Sequence, residues 1–329
     1  MRAFDRLIRF CKDWTLPVAI AVGTVVYMAF YHIPQLDRLG TQLMPAVDVV
    51  FPLSVFMTLL VTFCKIDFRQ MRPHRWHAGV LAAQLLLVAA CVWFVVAAGD
   101  TPEQKLLWEA VLTCIIGPSA SAAPVVAGKL GGNISTMTTY TLLSALASAV
   151  LIPLVFPMLE HTAHAEFLPA FLIILQKVSL VLLLPLVLGW TIQHAMPRLQ
   201  QRIASVPDLS FYCWAFSLSI TTGITVRNIV HSAASPSLLV QIGAVSLVLC
   251  FVQFAIGRAI GRRLGEEINA GQALFQKNTA LSIWVAYMYL HPVASVGAGC
   301  YVLWQNIINS LELWYHDKCR RRQKLGAIT

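Results

Sequence analysis

Residues 117–124 read GPSASAAP and interrupt a segment that is otherwise apolar. A second interruption, GQALFQKNT at residues 271–279, gathers polar side chains in the middle of another apolar segment. Two prolines and a glycine oppose a continuous helix in the first segment, and lipid would not tolerate the polar cluster of the second. Unwound backbone persists at membrane depth only where protein or a water-filled cavity satisfies it. We therefore predict two broken helices facing the interior of a membrane protein.

The composition supports a membrane protein. Hydrophobic residues make up 58% of the 329 and charged residues 12%, with a mean hydropathy of +0.70. A soluble domain carries roughly a quarter charged residues, and a membrane-spanning helix needs about 20 mostly apolar ones. The first apolar run lacks a small-residue cleavage site and is predicted to be a retained span. About ten spans are predicted, at 14–33, 44–64, 77–98, 107–126, 135–157, 168–195, 208–230, 238–257, 270–290 and 294–315.

The basic residues alternate with these spans. Nineteen of the 24 lysines and arginines fall in every second connecting segment and at both termini, whereas only Arg38 and Lys105 fall in the others. This distribution predicts that both termini are cytoplasmic. The net charge of +9 therefore indicates contact with lipid headgroups rather than nucleic acid. The eight cysteines are scattered, which argues against a disulfide framework or a zinc site.

Ten spans divide into two sets of five. We predict an all-α integral membrane protein with one repeat at 1–160, a second and inverted repeat at 165–315, and a basic cytoplasmic tail at 316–329. The two interruptions hold the fourth position of each repeat, which is typical of secondary transporters that bind substrate near the bilayer midplane. The alternative is that both interruptions are proline or polar kinks that serve helix packing.

Several short segments resemble the bile acid:sodium symporter family. FCKIDFR at 63–69 is similar to the family's link between spans two and three, and PSASAAP at 118–124 stands where the family carries a Pro-Gly-Gly-x-x-Ser-Asn motif. LGGN at 130–133 matches the turn that follows, Thr141 falls on a threonine of the next helix, and QKNTAL at 276–281 matches a Met-Gln-Asn-Ser-x-Leu segment. The resemblance implies a core domain with crossed broken helices 4 and 9 beside a panel domain, and transport of an organic anion with sodium across the cell inner membrane.

The sequence departs from the family at the sodium ligands. The Ser-Asn pair falls on Ala123 and Pro124, the glutamate of span nine on Ala273, and a serine of span five on Met137. Sodium prefers oxygen ligands, so we expect altered or absent sodium coupling. A sodium-coupled symporter with a non-standard ion site stays open as an alternative.

Lys277 takes the place of a glutamine in the same motif. A lysine at mid-membrane is costly unless it is paired or hydrated, which marks it as a functional candidate. It could be a fixed surrogate cation that bridges helix-end carbonyls, a proton carrier or an anchor for an anionic substrate. The other candidates could bind substrate or ion, or could merely satisfy unwound backbone, pack or cap a turn. The predicted substrate- and ion-binding residues are Ser119, Ser121, Asn133, Thr141, Gln276, Lys277, Asn278 and Thr279.

The function predicted is secondary transport of a small organic anion by alternating access. No cofactor, bound metal or nucleic-acid partner is expected, and membrane lipid is the second partner. No nucleophile motif accompanies Lys277, so an enzyme is not predicted. A non-transporting sensor or receptor that retains the carrier fold is the alternative from another class. The sequence does not predict an oligomeric state.

Overall fold

The computed structural model describes residues 15–66, 71–97, 101–159, 167–206, 209–232 and 234–326. The basic residues predicted at 1–13, Trp14, Arg69, the link between the predicted repeats at 160–166 and the last three residues of the tail lie outside the described residues. Of the residues that the structure describes, 88% are helical. Within the described ranges, the only strand-like pairing is one isolated antiparallel bridge between Ser119 and Lys277. The all-α prediction is confirmed.

The helices follow one another with short connections. Their bounds are α1 Thr15–His32, α2 Pro34–Lys65, α3 Arg75–Ala97, α4 Pro102–Thr113, α5 Ala123–Lys129, α6 Ile134–Leu159, α7 Phe167–Ala195, α8 Pro197–Ser205, α9 Leu209–Val230, α10 Pro236–Leu264, α11 Glu267–Phe275, α12 Thr279–Tyr289 and α13 Ser295–Gly326. A 3-10 turn, Pro292–Ala294, precedes α13. Both predicted interruptions are present, between α4 and α5 and between α11 and α12.

Five helical segments of the described chain are long and apolar enough to cross a membrane. They are Gln42–Lys65, Arg75–Ala97, Ile134–Leu159, Phe167–Ala195 and Pro236–Leu264. Many of their apolar side chains point outward: Leu86, Trp93 and Val240 are each at least 70% exposed. Apolar surface of this extent is what lipid, rather than water, would cover. The division into ten spans and two inverted repeats remains a prediction.

The helices pack in two groups. Helices α1, α2, α7 and α9 form one, which we call the four-helix group. Helices α3 to α6 and α10 to α13 form the other, which we call the crossing group because it contains both interruptions. Helix α6 packs against α7, and α12 contacts α2 and α9, so the groups meet beside the second interruption.

A close helix contact inside the crossing group follows from small residues. Helix α10 carries the sequence GRAIG, which places Gly257 and Gly261 one turn apart on one face. A Cβ added at Gly257 would lie 2.4 Å from the carbonyl oxygen of Ala270. Only glycine therefore lets α11 approach α10 this closely. Gly265, with a φ of 78°, then ends α10 in the left-handed conformation that glycine adopts without strain.

Three elements differ most from the sequence prediction. Helix α2 begins at Pro34 rather than near residue 44, because proline at the first helical position needs no N–H partner. Helix α8 lies within the segment 196–207, which was predicted only as a connection. Helix α13 continues to Gly326 and so includes most of the predicted tail.

Candidate functional site

The two interruptions meet and pair through their backbones. Ser119 and Lys277 form the antiparallel bridge at the centre of the contact. Two reciprocal hydrogen bonds flank it, from Ala120 N–H to the Gln276 carbonyl at 2.9 Å and from Asn278 N–H to the Pro118 carbonyl at 2.8 Å. Each unwound segment thus satisfies part of the other's backbone, which a low-dielectric interior requires. The two interruptions therefore form one paired structure, which we call the crossing, rather than two unrelated kinks.

The second helix after each interruption supplies an acceptor for the bridged residue. Ser119 N–H donates to Ser144 Oγ on α6 at 2.8 Å, and Lys277 N–H donates to Gln305 Oε1 on α13 at 2.8 Å. Both acceptor side chains are buried. An antiparallel bridge has a local two-fold axis, and these two hydrogen bonds occupy equivalent places about it.

Polar side chains from neighbouring helices satisfy the carbonyls freed before the first interruption. Gln84 Nε2 on α3 donates to the Gly117 carbonyl at 3.0 Å, and Ser148 Oγ on α6 donates to the Ile116 carbonyl at 3.1 Å. Neither residue was among the predicted site residues. Each is a polar side chain in the middle of an apolar span, and that isolation was the available signal.

The carbonyl that ends α11 is satisfied in the same way. Tyr301 O–H on α13 donates to the Phe275 carbonyl at 2.7 Å and accepts from Gln253 Nε2 on α10 at 2.9 Å. Gln253 also donates to the Cys114 carbonyl at 3.2 Å, which joins the surroundings of both interruptions. This network fixes the crossing from α3, α6, α10 and α13, and it was also missed by the sequence prediction.

Lys277 is buried at the centre of the crossing. Its side chain is 1% exposed, and its Nζ has no hydrogen-bond partner within the described part of the chain. Ser119, across the bridge, is 2% exposed, and its Oγ is likewise without a partner there. The amine therefore does not bridge helix-end carbonyls in this conformation. The Lys277 amine and the Ser119 hydroxyl are thus two buried polar groups at the same bridge that can still form hydrogen bonds.

A polar chain leads from the second interruption to one end of the crossing group. Gln276 Nε2 donates to Gln272 Oε1 and to Asn309 Oδ1, the latter at 3.1 Å. Gln272 Nε2 in turn donates to Glu312 Oε2 at 2.6 Å, and Glu312 pairs with Arg258. The chain joins α10, α11 and α13 within the crossing group, so it stiffens that group.

A small cleft lies where the crossing meets the four-helix group. Its lining residues are Val55, Thr58, Ala120, Ser121, Trp214, Ser217, Asn278 and Ala280. Both groups of helices contribute, and the lining contains polar as well as apolar side chains. Two predicted residues, Ser121 and Asn278, line this cleft.

The remaining predicted residues occupy different places. Thr279 is buried, and its N–H donates to the Lys277 carbonyl at 2.9 Å. The hydroxyl of buried Thr141 donates within its own helix to the Met137 carbonyl at 3.0 Å. Asn133 is exposed, and its side chain accepts from Ser135 N–H at 3.0 Å at the start of α6. Asn133 therefore acts as a helix cap away from the crossing.

A sequence profile connects this architecture to known proteins. The profile of the SBF-like CPA transporter family matches residues 66–308, which include both interruptions and the helices that support them. The chain belongs to this family. The resemblance to bile acid:sodium symporters is confirmed, and the SBF-like CPA transporter family indicates a multi-pass membrane transporter. No curated protein matches the chain.

The residues at the sodium-ligand positions that the resemblance implies have buried apolar side chains in this chain. Ala123, Met137 and Ala273 are fully buried and belong to one apolar cluster that also contains Trp76 and Tyr140. The fourth position is Pro124, buried in the first turn of α5. None of the four side chains carries an oxygen, so these residues offer no side-chain ligand to a hard cation.

Proposed function

We propose that the chain is a secondary transporter that moves a small organic anion across the cell inner membrane by alternating access. The observation that carries this proposal is the bridge between the two interruptions at Ser119 and Lys277, placed beside a cleft shared by both helix groups. Broken helices that meet in the interior are the usual binding region of secondary transporters. Family membership supports the same function.

The cleft supports movement of one group against the other. Thr58 and Ser217 contribute hydroxyls from the four-helix group, whereas Ser121 and Asn278 contribute polar groups from the crossing group. We assign the crossing group to the core domain and the four-helix group to the panel domain. Displacement of the core along the panel would then expose the cleft to each side of the membrane in turn.

Lys277 supports an anionic substrate and a coupling that does without sodium. Its ammonium group would supply positive charge at the junction, and Ala123, Met137 and Ala273 offer no side-chain oxygen to sodium. A buried cation with no carboxylate partner among the described residues attracts an anion strongly, because few competing charges or waters screen it. We therefore assign to Lys277 the charge that a coupling sodium would otherwise bring, either permanently or by carrying a proton.

The membrane orientation remains part of the proposal. The distribution of basic residues favours ten spans with both termini in the cytoplasm, arranged as two inverted repeats. The local two-fold symmetry of the bridge, together with the matched acceptors Ser144 and Gln305, supports an inverted arrangement of spans four and nine.

Uptake into proteoliposomes tests the proposal. We expect accumulation or exchange of a radiolabelled organic acid, found first by thermal-shift screening, and the rate should not change when sodium replaces potassium. Strict dependence on a sodium gradient would contradict the assignment of Lys277. Binding without accumulation or exchange under any gradient would instead establish the sensor or receptor alternative.

A further inference from the structure

Helix α8 presents a basic polar face at one end of the molecule. Arg198, Gln201, Arg202 and Ser205 follow the spacing of a single helix face and line an open, shallow cleft. All four side chains are exposed. Two guanidinium groups one turn apart on such a face complement a phosphate, which they can bind with paired hydrogen bonds.

The neighbouring face of α8 is apolar and also exposed. Leu199 is 37% exposed, and the partly exposed Ile203 lies one turn further along on the same side of the helix; Val206, directly after the helix, is 45% exposed. A short helix with one cationic and one apolar face is suited to lie in the plane of a membrane surface. Trp190, in the last turns of α7, is 51% exposed nearby in the chain, as expected of an aromatic side chain at the interface.

The third face of α8 is fixed to the protein. Gln200 Nε2 donates to the Cys64 carbonyl at 3.1 Å, and Lys65 Nζ donates to the Val206 carbonyl at 2.9 Å. Gln193 Nε2, just before α8, donates to the Phe63 carbonyl at 3.0 Å. The bonds from Gln193 and Gln200 satisfy carbonyls at the end of α2, and the Lys65 bond ties that end to the residue after α8, so the orientation of α8 relative to α2 and α7 is determined by the fold.

We propose that α8 is an interfacial helix that binds the phosphate of an anionic phospholipid through Arg198 and Arg202. Leu199, Ile203 and Val206 then enter the boundary between headgroups and acyl chains. The occupant is a lipid because the cationic and apolar faces adjoin, whereas a free anion would use only the first. Helix α8 joins α7 to α9 and holds the end of α2, so the bound lipid anchors the four-helix group at the surface.

Retention of phospholipid by the full-length protein tests the binding. The purified protein is titrated with phosphatidylglycerol or phosphatidylcholine, and bound lipid is counted by native mass spectrometry. We expect Arg198→Gln/Arg202→Gln to weaken phosphatidylglycerol binding roughly twentyfold, since each basic residue near an anionic surface contributes measurably. The charge-matched control is Arg72→Gln/Arg263→Gln, whose exposed side chains lie outside α8; it should retain parental binding.

Three results would overturn the proposal. One is equal retention of phosphatidylcholine and phosphatidylglycerol by the parent. Another is an equal loss in the control variant, which would indicate general surface charge. The third is displacement of the lipid by inorganic phosphate at millimolar concentration, which would indicate a free-phosphate site. If the double variant does not fold, Arg202→Gln alone is expected to weaken binding roughly fivefold, and unchanged binding would again reject the site.

The role of the lipid as an anchor rests on the proposed transport, but the binding does not. Uptake in phosphatidylcholine vesicles that contain about a quarter phosphatidylglycerol should exceed uptake in pure phosphatidylcholine, and the α8 double variant should lose this difference. Lipid retention without any transport would leave the α8 site intact and reject the transport function. Transport without selective lipid retention would reject the α8 site and leave the transport function intact.

Discussion

Lys277 places an amine where the resemblance would put part of a sodium site. Because its Nζ is buried without a partner among the described residues, replacement by methionine keeps the volume and removes the charge without leaving a carboxylate unpaired. We expect Lys277→Met to fold and to reduce substrate uptake by at least about a hundredfold, equivalent to roughly 3 kcal/mol. The control is Lys177→Met, whose exposed amine lies over the Tyr289 ring outside the crossing. Equal loss in both variants would contradict a specific role for Lys277.

The pH dependence of the parent separates two forms of that role. If Lys277 carries a proton in each cycle, an imposed proton gradient drives accumulation of substrate, and Lys277→Met loses that response. If Lys277 is a fixed cation, uptake follows the substrate gradient alone and is unaffected by the pH difference. Uptake into vesicles with clamped internal and external pH distinguishes these outcomes.

Tyr301 is a single side chain on which the end of α11 depends. Its hydroxyl satisfies the Phe275 carbonyl and accepts from Gln253 in a fully buried region. Tyr301→Phe leaves the buried Phe275 carbonyl without its donor and Gln253 with only its bond to the Cys114 carbonyl, and we expect it to lower the free energy of unfolding by about 1–3 kcal/mol. Thermal unfolding in detergent measures the loss. Tyr315→Phe, on the same helix but 64% exposed, should have no measurable effect.

The sequence revealed the charged and polar residues of the interruptions but not their supports. Lys277, Gln276 and Ser119 stand out because they lie in segments whose composition breaks the helix. Gln84 and Gln253 lie in continuous helices, and their role depends on carbonyls 31 or more positions away in the chain. Only the three-dimensional packing brings those donors to the freed carbonyls, so no local pattern could assign them.

At the scale of elements, the packing of α11 on α10 depends on Gly257. An added Cβ would lie 2.4 Å from the Ala270 carbonyl oxygen and 3.0 Å from the Gly271 Cα. Both are backbone atoms that cannot move aside cheaply. We expect Gly257→Ala to destabilise the protein by roughly 1–3 kcal/mol and to displace the second interruption.

The same helix provides the control for this variant. At Gly243 the nearest atom to an added Cβ is Cys300 Sγ, at 4.0 Å, so Gly243→Ala should be tolerated. Thermal unfolding of the two variants in the same detergent gives the comparison. Equal melting temperatures would mean that α10 and α11 do not pack at this distance.

Element boundaries could be predicted where local chemistry decides them. Pro118 lacks the N–H that a continuous helix needs and Pro124 fits the first turn of a new helix, and the first break lies where the sequence placed it. The identity of α8 could not be deduced from hydropathy, because its apolar residues are few and its stability depends on bonds from Gln200 and Lys65 to distant partners. Nine residues are too few to form a helix alone.

For the whole molecule, the sequence predicted a helical membrane protein but not its grouping. The placement of basic residues predicts which connecting segments are cytoplasmic, but it does not predict which helices contact one another. The structure places α7 with α1, α2 and α9, whereas α10 to α13 join α3 to α6. This packing brings residues 119 and 277 together although 158 positions separate them in the chain. It also allows movement of one helix group against the other to be tested.

The proposed motion predicts that a link between the groups stops transport. Ser121 belongs to the crossing group and Ser217 to the four-helix group, and both line the shared cleft. Each Ser→Cys change alone preserves size, so we expect uptake near the parental level. The double variant Ser121→Cys/Ser217→Cys, linked by a bifunctional thiosulfonate, should lose uptake, and dithiothreitol should restore it.

A pair within the crossing group, Thr136→Cys/Asn269→Cys, replaces side chains that lie 2.9 Å apart and is the matched control. Cross-linking of this control pair should leave uptake intact. Treatment of the parent, which carries only its native cysteines, with the same thiosulfonate should also leave uptake intact. If mass spectrometry shows the first link complete while uptake continues, the two groups do not move past each other at this cleft during transport.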